Sequence, residues 1–152
     1  MIYTISQDFF IICRSHMPAL HNIDDELKLI TTVWSGVASD TDLIDALLKY
    51  QQEIKCGPAY AAYNEIVDFR KAADFTLSAE GIVKLARAAS SSDVPGVKTK
   101  LAIIVTAPVA YGLGRMYEVY RSLAPGVAKE VRVFKTYEDA FAWIMQGAGS
   151  YE

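Results

Sequence analysis

An α/β fold built on a mixed, largely parallel sheet of four to five strands with about four helices is what this sequence predicts. Three observations carry the prediction. From Leu27 onward, apolar runs of strand length alternate with segments of helical periodicity, in the order β-α-β-α-β-α-β-α. Such alternation means parallel strands joined by helical crossovers. Leu101 to Val105 is apolar without interruption, as suits a strand covered on both faces. The composition, 152 residues with 52% hydrophobic and 22% charged, fits one domain over 1–152 that needs neither disulfides nor a structural metal to make a core.

Taken in order, Leu27 to Gly36 is rich in β-branched and aromatic residues and reads as a strand. Ser39, Asp40 and Asp42 open the first helix with a cap oxygen and early carboxylates. Leu43, Leu47, Tyr50 and Ile54 recur at helical spacing, and Gly57-Pro58 ends the segment. Asn64 to Phe69 is a short strand. A second helix starts near Ala79, with Ser78 as cap and Leu77 and Ile82 as a hydrophobic staple. Lys100 to Thr106 is the next strand. Pro108 starts a third helix that runs to about Leu123, with Leu113, Met116, Tyr117 and Tyr120 as its inward face. Val131 to Phe134 is the last strand. Thr136 and Asp139 cap a helix from Tyr137 to Gln146 that Gly147 ends.

Residues 1–26 form N-terminal strands or an extension. Met1 to Ile5 reads as a strand, Phe9 to Cys13 as a strand or helical turn, and Pro18 to Ile23 can pair with Leu27 to Trp34 across Asp24-Asp25-Glu26. Cys13 and Cys56 make no disulfide framework, and neither a signal peptide nor a membrane span is evident, so the expected compartment is the cytoplasm. Lys plus Arg total 15 against 18 Asp plus Glu, which argues against general nucleic-acid binding.

Val33-Trp-Ser-Gly36, Tyr63-Asn-Glu-Ile-Val-Asp-Phe-Arg70, Tyr111-Gly-Leu-Gly-Arg-Met-Tyr117 and Val131 to Phe134 through Ala140-Phe-Ala-Trp143 occur in that order. Together they resemble the SpoIIAA-like group of the STAS and Sec14-type fold, over about Leu27 to Met145. The resemblance implies a mixed four- or five-stranded sheet packed by helices and a regulatory or binding role. Phosphoregulated STAS domains carry an Asp-Ser pair at the start of the second helix. Here the stretch is Asp74-Phe-Thr-Leu-Ser78, so the pair is missing and Thr76 and Ser78 are the nearest hydroxyls for phosphorylation.

Tyr111, Gly112, Gly114 and Arg115 follow a strand's carboxyl end, where helix N-termini collect ligands in open α/β sheets. Tyr111, Arg115 and Glu118 make a stripe away from the core. One reading is an anion site made of backbone N–H groups and the Arg115 guanidinium. The other is that the glycines give close packing and Arg115 pairs with Glu118. Arg70 and Asp74 either join Arg115 on that rim or form a solvated loop pair. Cys13, His16 and His21 match no metal-site spacing. Trp34, Trp143, Tyr60 and Tyr63 supply core bulk or line an apolar cavity.

The expectation is a non-enzymatic module, a homodimer, that binds a protein partner or small anionic ligand through Arg70, Asp74, Tyr111, Gly112, Gly114 and Arg115, with no cofactor and no metal. The alternative is a Sec14-like carrier of a lipid or other apolar ligand between helices and sheet. A third reading is a phosphoregulated switch, or an enzyme acting on an anionic substrate.

Overall fold

Asp24 begins a tight reversal of the chain: its Oδ1 accepts from the Leu27 N–H at 2.9 Å, and Lys28 takes a left-handed φ of 52°. The reversal joins β1 (Ala19–Asp24) to β2 (Leu29–Ser39) as the antiparallel hairpin the sequence suggested, with Ala19 opposite Trp34. The structure, a computed structural model, describes residues 18–126 and 128–147; the expectations for Met1 to Ile5 and Phe9 to Cys13 lie outside them. β3 (Asn64–Thr76), β4 (Thr99–Ile104) and β5 (Lys129–Phe134) add in parallel, giving the spatial order β1-β2-β3-β4-β5.

That strand order decides where the helices go. A right-handed crossover between neighbouring parallel strands always passes on the same side of the sheet. α1 (Asp40–Glu53), α2 (Ala79–Ser90) and α3 (Pro108–Ser122) therefore form one layer, and α4 (Tyr137–Met145), which follows the last strand, covers the other face. Ile82, Ala86, Ile103, Val105, Tyr117 and Val133 pack under the three-helix layer. Ile66, Ala102, Ile104, Ala140 and Trp143 pack under α4.

Helix starts follow the capping residues. Ser39, Ser78 and Thr136 accept from the N–H groups of Asp42, Gly81 and Asp139 at 3.1, 2.9 and 3.2 Å, each cap worth about 1 kcal/mol. At the far end of α4, the Lys100 ammonium donates to the carbonyls of Trp143 and Gln146, satisfying acceptors that the helix leaves open.

Two expectations need correction. β3 does not end at Phe69; it runs to Thr76, because β2 continues beside it with Ser35 opposite Lys71 and Ser39 opposite Thr76. β4 pairs only with Glu65–Asp68, so the rest of β3 extends as a two-stranded ribbon with β2. Two register shifts each place an extra residue on β3, and bulges of that kind bend and twist a strand. The inward face of α3 also differs. Tyr120 is 41% exposed, whereas Arg121 is 1% exposed, four residues beyond the buried Tyr117.

Candidate ligand cavity

Among the larger side chains that the three-helix layer turns to the sheet are several small ones. Ala46 of α1, Ala89 of α2 and Ala110 and Gly114 of α3 all face inward, and between them and the strands lies a cavity of about 210 Å³. Gly114 lets α3 lie close to the sheet: a Cβ there would meet the Val133 methyls at 3.3 Å. An aromatic wall closes one side. Trp34 lies 5.9 Å from Phe69, and Phe69 lies 5.9 Å edge-on from Phe75. Phe75 belongs to the bulged ribbon, so the extension of β3 helps enclose the space.

Polar groups gather at the other end, by the amino ends of the parallel strands. Glu65, the second residue of β3, is 6% exposed. Its carboxylate pairs with the Lys129 ammonium of β5 and accepts from the Tyr50 hydroxyl at 2.5 Å. Lys55 lies 3.9 Å from the same Oε1 and donates to the Tyr60 carbonyl at 2.8 Å. Burial acts to raise the Glu65 pKa, but Lys129, Lys55 and the hydrogen bonds outweigh it and hold the carboxyl below the usual carboxylate range. Tyr50 is pushed up by burial first and by the Glu65 charge second. Burial pushes Lys55 down, and repulsion from Lys129 adds to it against the pull of Glu65.

His21 completes this end from β1. Its Nδ1 lies 2.7 Å from the Thr32 hydroxyl and its ring 5.0 Å from that of Tyr50. Burial pushes its pKa down despite Glu65, which keeps the imidazole neutral near pH 7. On the α3 side, Arg121 makes a bidentate pair with Asp93, both contacts at 2.8 Å, and donates to Ser90 at 2.6 Å. Its Nε is buried without a hydrogen-bond partner among the described residues. The Tyr117 phenol beside it is pushed up to about 12 by burial.

The residues singled out by sequence fall elsewhere. Arg70 does not leave β3 at its end. It sits within the strand, gripping Asp68 at 2.7 Å, with its guanidinium 5.7 Å from the Tyr137 ring on the α4 side. Asp74 is exposed on the ribbon and accepts from the Phe75 N–H at 2.8 Å, while the Arg70 guanidinium pairs with Asp68 instead. Arg115 is on α3, across the sheet from α4, and its partner is Glu118 at 3.5 Å. Tyr111 lies under the Lys135 ammonium at 5.0 Å, and Gly112 faces open space. The structure therefore joins Arg70 to neither Arg115 nor Asp74. Thr76 is exposed at the end of β3. The Ser78 hydroxyl accepts from Gly81 and donates to Asp40 at 2.6 Å, so a phosphate on it would face a carboxylate.

Trp34 lines the cavity and Trp143 packs under α4, while Tyr60 and Tyr63 meet edge to face, 5.1 Å apart, at half-buried positions. Of the histidines and cysteine weighed as metal ligands, Cys13 and His16 lie outside the described residues. Among the described residues no group of three His, Cys, Asp or Glu could hold a metal ion, and no helix is long and apolar enough to cross a membrane.

Sequence reasoning missed Glu65, Lys55, Lys129 and Arg121, and read Tyr50 only as part of the apolar stripe of α1. Two of them carried a readable signal. Glu65 shares a strand face with Val67 and Phe69, both inward, by simple alternation. Arg121 follows Ala110, Gly114 and Tyr117 at helical spacing on the buried face of α3. Lys55 and Lys129 gave none, because each is placed by a long-range packing that no local pattern announces.

Among the described residues the geometry defines an α/β protein with a five-stranded, mixed, mostly parallel sheet, four α-helices and, between sheet and helices, a cavity polar at one end. Among solved structures it is similar to an uncharacterized protein from the DUF3478 family with a SpoIIAA-like fold from Shewanella loihica PV-4. That likeness has 15% sequence identity and a TM-score of 0.49, over 83% of this chain and 91% of that one. No family model and no curated protein matches the chain.

Proposed function

We propose that the protein is a binding module that holds a small, mainly apolar molecule between its sheet and the α1–α3 layer. The cavity of about 210 Å³ carries this reading. An engineered apolar cavity of about 150 Å³ takes up benzene, so this space suits a molecule somewhat larger, of roughly a dozen non-hydrogen atoms. A void of this size lowers stability when unfilled, and an occupant would recover that loss. Recognition of an anion or protein partner at the strand carboxyl ends through Arg70, Tyr111 and Arg115 is supported less, since both guanidiniums already have carboxylate partners.

Filling the space tests the reading. Ala46→Phe puts a ring into the cavity from α1. The wild-type protein is expected to bind benzene, with methyl NMR shifts confined to cavity residues such as Leu47, Leu85 and Leu101, and Ala46→Phe to abolish those shifts while remaining folded. Absence of benzene-dependent shifts in the wild-type protein would overturn the proposal.

A further inference from the structure

Resting on that reading, we propose that the cavity selects a molecule with one acidic head group on a short apolar body, its anionic end at Lys55. Charges at the polar end do not balance. Lys55, Lys129 and Arg121 bring three cations there, and Glu65 and Asp93 bring two carboxylates, all lining the same cavity. His21 adds no charge near pH 7, because burial disfavours its protonated form.

The pairing shows which cation is left over. Arg121 takes both Asp93 oxygens, and Lys129 takes Glu65 directly, with Tyr50 on the second oxygen. Lys55 stands off the same carboxylate at 3.9 Å, beyond hydrogen-bond distance, and its one hydrogen bond among the described residues goes to the Tyr60 carbonyl. Its ammonium has three N–H donors and a side chain only 13% exposed. A largely desolvated cation with unused donors favours an anion over a neutral or cationic group. The rest of the wall, from Leu47 and Leu85 to Phe69 and Phe75, offers apolar surface to the body of the molecule.

Octanoate, 1-octanol and octylamine separate the terms, since they share one alkyl body and differ at the head. Calorimetric titration at pH 7 is expected to rank them octanoate, octanol, octylamine, with octanoate ahead of octanol by about tenfold or more, as a charge-assisted hydrogen bond implies. In Lys55→Gln, whose folding is checked by its thermal transition, the octanoate-to-octanol ratio falls toward one. Equal binding of octanoate and octanol by the wild-type protein, or a preference that survives Lys55→Gln, overturns the head-group assignment and leaves the cavity standing. Binding of none of the three, together with no benzene uptake, removes the cavity reading itself.

Discussion

With Gln at position 65, the largely buried Lys129 ammonium would face a neutral amide, and Lys55 would lose the carboxylate that offsets its burial. Removing one member of a buried pair leaves the other uncompensated, at a cost of about 3 kcal/mol, and urea unfolding of Glu65→Gln is expected to show a loss of that order. The pH dependence follows from the same contacts. The Glu65 pKa is lower folded than unfolded, so its stabilisation is fully present above the ordinary carboxylate value of about 4.3 and is lost as pH falls through the folded value. Glu65→Gln should lose that part of the acid sensitivity; an unchanged acid transition would show that Glu65 does not contribute it. At this scale the sequence was partly legible. Alternation puts Glu65 inward with Val67 and Phe69, but its partners lie at positions 50, 55 and 129, and only the packed fold brings them together.

Three helix starts were legible because each rests on a local oxygen: Ser39, Ser78 and Thr136 bond N–H groups three residues on, while α3 has no side-chain cap and was marked by Pro108 at its first turn. The second half of β3 was not legible. Lys71-Ala-Ala-Asp74 has no strand periodicity, and its conformation comes from ladder bonds to β2. A tighter contact joins α1 to α2. The Asp40 carboxylate accepts from the Ser78 N–H at 3.0 Å and from its hydroxyl at 2.6 Å, at the amino end of α2, where the helix favours an anion. Gly81 makes room, since a Cβ there would occupy the space of the Asp40 carboxylate. Gly81→Ala is expected to cost about 2 kcal/mol in the native background through that overlap. In an Asp40→Ala background the same change should stabilise by up to about 1 kcal/mol, the helix preference of Ala over Gly. A double-mutant cycle by thermal unfolding reads the difference; additive effects would mean the two positions do not meet.

The whole chain reads as alternating strands and helices whatever the lateral order of the strands, so the alternation pointed to the strand carboxyl ends and gave no sign of the cavity beneath the helices. Ligand crevices at strand carboxyl ends arise where the strand order reverses and helices part to opposite faces. Here the order is sequential, the three crossover helices stay together, and the space opens beneath them. Such an arrangement also makes the molecule responsive to hydrostatic pressure. Unfolding abolishes internal voids, so the unfolded chain with its solvent occupies less volume, by about 20–100 mL/mol for proteins generally. With about 210 Å³ of cavity, this protein is expected toward the large end of that range, and Ala46→Phe below it. Pressure unfolding followed by tryptophan fluorescence measures both. Equal volume changes would mean that water already fills the space. Squeezed by pressure, the emptier state yields first, so compression would sort occupied molecules from vacant ones without any knowledge of what the occupant is.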